Sequence, residues 1–278
     1  MSIDLSATLL HTLPISCAET ASPLVIALPG AGCSPLIFKR AQIDGIQWHL
    51  LDWLNGQGPK DPDSVAAALG AALAFRKGPT LLVGHSLGGF IGLLTAIRYP
   101  TCVQGLVLSN TGARIEGHGD SNLPNRIRNH WTEEEQDGFL RSCFNPLVDP
   151  VLWHQCQAYI RQIPASSLLE AVEGLRRMDL SDQLASVKCP VLIAHGRHDH
   201  RRPLSAANGL AEGIKNTRLV LLEGGHTPPV DCTEDYVRAI RSFLVELALL
   251  PDSVPDNCAV LVSAAAHSDQ HHRKEENH

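Results

Sequence analysis

The sequence predicts an α/β fold: a mostly parallel central sheet flanked by helices and interrupted once by an all-helical insertion. Three observations carry this expectation. Six short apolar runs bounded by turn residues recur along the chain, helical stretches lie between them, and from about residue 115 to 182 no strand-like run appears. Runs that are apolar throughout, instead of alternating with polar residues, mark strands buried on both faces of a parallel sheet.

The runs span residues 24–28, 46–51, 81–83, 103–108, 191–194 and 219–222, and residues 7–13 form a weaker candidate for a leading edge strand. The first helical stretch is Ala-rich, over 63–76, with Asp61 and Asp63 available as caps. The second begins at Leu87, aligns Phe90, Ile91, Leu94 and Ile97 on one face, and stops before Pro100. A third, over 234–249, carries Val237, Ile240, Phe243, Leu244 and Leu247 at helical spacing.

Inside the interruption, Thr132 with Glu135 has the spacing of a capping box, Asp149-Pro150 reads as an N-cap followed by the first helical residue, and Ser167 with Glu170 repeats the box. Three or so helices sitting over the sheet are expected. The resulting division is a core of residues 1–114 and 183–250, a helical cap over 115–182, and a C-terminal tail over 251–278. The tail's prolines, histidines and mixed charges predict little contribution to the fold, and disorder beyond Ala266.

The chain has 278 residues, 44% of them hydrophobic, with 23 Lys+Arg against 29 Asp+Glu and a net charge of -6. A chain this long buries roughly three quarters of its unfolded surface, so core size is no constraint. The acidic balance argues against nucleic acid and against an anionic membrane surface as partners. With no run near the ~18 apolar residues of a membrane span and no basic N-terminal region, a soluble, cytoplasmic protein is expected. The eight cysteines, at 17, 33, 102, 143, 156, 189, 232 and 258, form no Cys-x-x-Cys pair and read as free thiols.

Chemistry concentrates at Gly84-His85-Ser86-Leu87-Gly88, a Gly-x-Ser-x-Gly between an expected strand and an expected helix. A serine on a sharp strand-to-helix turn needs small neighbours, because backbone and helix approach closely there, and the turn exposes its hydroxyl. Ser86 is the candidate nucleophile. A serine hydroxyl needs a base and an orienting acid, and two residues stand after later strands: Asp199 in His195-Gly196-Arg197-His198-Asp199 and His226 in Gly225-His226-Thr227-Pro228. The strand ending at Ser109-Asn110 offers no carboxylate, which favours Asp199 as the acid. His195-x-x-His198-Asp199 lacks a recognised metal spacing, and His85 is expected to pack beside the nucleophile. The tail histidines His267, His271 and His272 suggest adventitious metal capture only.

These motifs, in the order Ser86, Asp199, His226, resemble those of the α/β-hydrolase superfamily with a helical cap, over roughly residues 20–250. The resemblance implies the α/β-hydrolase fold, a Ser86–His226–Asp199 triad, and an oxyanion hole of the Leu87 and Ala31 N–H groups. It implies a serine hydrolase forming an acyl-enzyme, with no metal or organic cofactor. The loop Pro29-Gly30-Ala31-Gly32 is similar to that of thioesterases acting on carrier proteins, whereas capped esterases have His in place of Pro29. Ester, thioester, lactone and C–C substrates stay open, as do a lyase and a binding protein that retains the triad. Trp131, Phe139, Phe144, Trp153, Tyr159 and Met178 are candidates for lining the pocket or packing the cap, and a small, mainly apolar substrate is expected.

Overall fold

A computed structural model describes residues 22–115, 119–144 and 148–251. The candidate strand at 7–13 and nearly all of the tail lie outside the described residues. Six strands, β1 (Leu24–Leu28), β2 (Gln47–Leu50), β3 (Thr80–His85), β4 (Gly105–Ser109), β5 (Val191–Gly196) and β6 (Thr217–Leu222), correspond one for one to the six apolar runs. They form an all-parallel sheet in the order β2-β1-β3-β4-β5-β6. Every residue of β1, β3, β4 and β5 is buried, whereas β2 and β6, at the edges of this sheet, are only partly covered.

Among the described residues nine helices connect and cover the strands: α1 (Pro62–Leu73), α2 (Leu87–Arg98), α3 (Leu123–His130), α4 (Glu133–Cys143), α5 (Pro150–Gln162), α6 (Ala165–Arg176), α7 (Leu204–Gly213), α8 (Pro228–Asp231) and α9 (Thr233–Glu246). Short 3-10 segments stand at Pro35–Ala41 and Ser181–Ser186. Four of the helices, α3 to α6, lie between β4 and β5. Because every strand runs the same way, the chain leaves each one on the same edge of the sheet, and loops from β1, β3, β4, β5 and β6 meet there.

The caps explain where helices begin. Asp61 accepts the Ser64 N–H at 3.1 Å and starts α1, while Asp63 pairs instead with Arg98 of α2. Thr132 caps α4 through the Glu135 N–H at 3.3 Å, but the Glu135 carboxylate turns away from the box to meet Arg126 at 2.6 Å. Asp149 caps α5 by accepting the N–H groups of Val151 and Leu152 at 2.8 and 3.2 Å. The Ser167–Glu170 pattern is not a cap: α6 begins at Ala165, because Pro164 at φ -56° and ψ 130° already sets the entry and leaves Ser167 inside the first turn.

Candidate active site

Ser86 sits between β3 and α2 at φ 52° and ψ -119°, a conformation that L-residues avoid at a cost of about 1–3 kcal/mol. Close approach on both sides holds it there. A Cβ on Gly84 would lie 2.5 Å from the Gly89 Cα, and one on Gly88 would lie 2.2 Å from the Leu28 carbonyl oxygen. The Ser86 N–H donates to the Ser109 carbonyl at 2.9 Å, tying the turn to the neighbouring strand.

Asp199 and His226 arrive from the loops after β5 and β6. His226 Nε2 lies 3.2 Å from Ser86 Oγ, and its Nδ1 lies 2.9 Å from Asp199 Oδ2. The two loops cross so closely that a Cβ on Gly196 would stand 2.0 Å from the Gly225 carbonyl oxygen. Asp231 fixes the histidine loop by accepting the N–H groups of Gly225 and Thr227, each at 3.1 Å. Thr227 Oγ1 in turn donates to the Cys143 carbonyl at 2.7 Å, linking that loop to the last residue of α4.

The Asp199 side chain is fully buried. Burial alone would favour its neutral form, yet hydrogen bonds from His226, the Arg201 N–H and Asn110 hold it well below the usual carboxylate range. Oδ1 accepts the N–H groups of Arg201 and Arg202 at 2.7 and 3.0 Å; Oδ2 accepts Asn110 Nδ2 at 2.6 Å as well as His226. An ionised Asp199 requires Nδ1 of His226 to carry the proton, which leaves Nε2 as an acceptor facing Ser86.

Asn110 is the residue that sequence reasoning missed. It is not a carboxylate, but it is wholly buried at the end of β4, with φ 47°. Its Nδ2 bridges Asp199 and the Gly225 carbonyl at 3.0 Å, and its Oδ1 accepts the Gly196 N–H at 3.0 Å. One amide thus joins the ends of β4 and β5 to the histidine loop. Asn tolerates the left-handed region better than most residues, so an Asn directly after an apolar strand was the available signal.

His85 packs beside the site, as expected, with its ring 5.0 Å from that of His226. Its Nε2 contacts the His226 carbonyl at 2.9 Å. Burial, reinforced by His226, pushes its pKa down to about 3, so it stays neutral and donates this bond. The His195–His198–Asp199 run does not converge: His198 turns to Glu223 at 3.2 Å while Asp199 is committed to His226.

Ala31 and Leu87 both line the cleft over Ser86. Leu87 opens α2, so its N–H is among those a helix leaves unpaired at its start. Ala31 lies in a tight turn closed by the Cys33 N–H donating to the Gly30 carbonyl at 3.1 Å, and Trp53 Nε1 anchors the Pro29 carbonyl at 3.0 Å. Of the six cap candidates, Phe139 lines the cleft. Trp131 packs edge-on against Phe139, Phe144 packs likewise against Trp153, and the Tyr159 hydroxyl bonds Asp52 at 2.6 Å. Met178 packs on the core. Cys33, Cys102, Cys143, Cys156, Cys189 and Cys232 are free thiols; Cys17 and Cys258 lie outside the described residues.

Residues 25–239 match the family model described as the alpha/beta hydrolase family, and the chain belongs to that family of enzymes. It is similar to a pimeloyl-(acyl-carrier protein) methyl ester esterase of Neisseria meningitidis, 26% identical over 203 residues, covering 68% of this chain and 79% of the relative. Among solved structures, an esterase from Exiguobacterium antarcticum aligns with a TM-score of 0.72 at 20% identity, over 81% of this chain and 92% of that one. The enol-lactonase of Burkholderia xenovorans aligns with a TM-score of 0.70 at 19% identity, over 82% and 93% of the two chains. Among the described residues no helix is long and apolar enough to cross a membrane.

Proposed function

We propose that the protein is a serine hydrolase that cleaves a small carbonyl substrate, a carboxylic ester or a close relative of one. Ser86, His226 and Asp199 act as nucleophile, base and orienting acid. The observation that carries the reading is the unbroken contact chain from Ser86 Oγ through both ring nitrogens of His226 to a buried, ionised Asp199. The esterase name of the Neisseria relative supports the choice of bond.

His226 Nε2 takes the Ser86 proton as Oγ attacks the carbonyl carbon, and the Ala31 and Leu87 N–H groups receive the oxyanion. Asp199 holds Nδ1–H and stabilises the imidazolium. The intermediate collapses, His226 passes its proton to the leaving group, and an acyl group remains on Ser86. Water, deprotonated by the same nitrogen, then attacks the acyl carbon and releases the acid and the free serine.

Labelling with a fluorophosphonate probe tests the nucleophile: the native protein is expected to label and Ser86→Ala to remain unlabelled. Turnover of a short p-nitrophenyl ester is expected to fall at least ~10³-fold in Ser86→Ala and in His226→Ala. Folded native protein that neither labels nor turns over any ester, thioester or lactone overturns the reading in favour of a triad kept for proton transfer or for binding.

A further inference from the structure

The cleft over Ser86 holds a charge pattern that cleaving a neutral ester does not need. Among its described lining residues stand three guanidiniums, Arg176, Arg201 and Arg202, against one carboxylate, Asp120. Asp120 is already engaged: Oδ2 accepts from Arg126 at 2.6 Å and Oδ1 from the Asn122 N–H at 2.9 Å.

The arginines come from two sides. Arg176 closes α6, donates one nitrogen to the Asp120 carbonyl, and buries its Nε without a hydrogen-bond partner among the described residues. Arg201 follows Asp199; its guanidinium lies over the Phe139 ring, 5.0 Å from the centroid, and bonds the neutral Ser142 hydroxyl. Arg202 is buried beside them; burial and the charges of Arg201 and Arg176 pull its pKa down to about 10 against the opposing charge of Asp199, so it is still charged at neutral pH. The rest of the wall is largely apolar, with Ile115, Leu123, Val172 and Leu175.

Among the described residues the Arg176 guanidinium bonds a carbonyl and the Arg201 guanidinium a hydroxyl, so neither is matched by a carboxylate there, and guanidiniums match a carboxylate's two oxygens. We propose that the substrate carries a carboxylate, held by Arg176 and Arg201 with Arg202 behind them, at the far end of an apolar body from the carbonyl that Ser86 attacks. This rests on the hydrolase reading above. It adds to the expected apolar substrate a negative charge that composition could not reveal, because the three arginines converge only in the folded cleft.

Two pairs of shape-matched esters test it. Monomethyl adipate is compared with methyl 6-methylheptanoate, which places the charge on the acyl side; 4-acetoxybutanoate is compared with 4-methylpentyl acetate, which places it on the alcohol side. In at least one pair the carboxylate member is expected to have the higher kcat/KM by tenfold or more, and Arg176→Gln and Arg201→Gln are each expected to lower that ratio about tenfold. A ratio of one or less in both pairs, or a ratio that neither variant moves, overturns the proposal while leaving a working hydrolase. Calorimetric titration of Ser86→Ala with the two carboxylate esters reads binding without turnover. Saturable binding that weakens tenfold on adding Arg201→Gln supports the anion site even if no ester is cleaved, an outcome that sinks the hydrolase reading instead; no binding overturns the anion site.

Discussion

His85 couples the site to acid stability. Its folded pKa, near 3, lies below the ordinary value of 6.5 because the buried ring resists a charge, so the unfolded chain binds the proton more readily than the folded one. The stability this supplies is complete above pH 6.5 and is lost as pH falls toward 3, at about 1.4 kcal/mol per unit. Between pH 7 and 5, urea unfolding is expected to lose ~2 kcal/mol from this group, and His85→Asn to remove that part of the slope. Asp199 acts with the same sign lower down: its depressed pKa stabilises the fold above the ordinary carboxylate range and fails below it. Asn110→Asp sets a second carboxylate where Nδ2 now lies 2.6 Å from Asp199 Oδ2. Each carboxylate raises the other's pKa, which weakens the stability that ionised Asp199 supplies, so acid unfolding of Asn110→Asp is expected to begin at a higher pH than that of the native protein. The meeting of Ser86, Asp199 and His226 was legible because each follows an apolar run in a recognisable motif. Asn110 was not, because its role is set by three segments that meet only in space.

At the scale of elements, sequence signals worked where one local cause dominates. Continuous apolar runs became the strands because burial on both faces demands them, and Asp61, Thr132 and Asp149 started helices through side-chain caps. Helices α3 and α7 were missed, and neither has a side-chain cap: Asn122 makes no such bond, and α7 follows Pro203. Packing decided them instead, as buried Leu123 and Ile127 in α3 and Ala207 and Leu210 in α7 attest. The α2–β1 contact sets the elbow, and Gly88→Ala tests it. A methyl group 2.2 Å from the Leu28 carbonyl oxygen must push the helix off the strand. The variant is expected to lose at least ~2 kcal/mol in urea unfolding and most of any turnover of the p-nitrophenyl ester.

Across the whole molecule, the all-parallel sheet delivers Ser86, Asp199, His226 and the Ala31 loop to one edge, while helices α3 to α6 supply Phe139, Val172, Leu175 and Arg176 to the cleft above them. The run of helices between β4 and β5 was readable from the absence of strand-like runs there; the charge of the cleft was not, since Arg176 lies on one side of β5 in sequence and Arg201 and Arg202 on the other. The spacing of the triad bears also on how the enzyme matures. Ser86 and His226 are separated by 140 residues, and His226 hangs from β6, at the end of the described sheet. During synthesis Ser86 therefore emerges long before His226. On the proposed reading the nascent chain is inert toward acyl compounds until β6 docks on β5, and the onset of turnover in a refolding experiment is expected to report closure of that pairing.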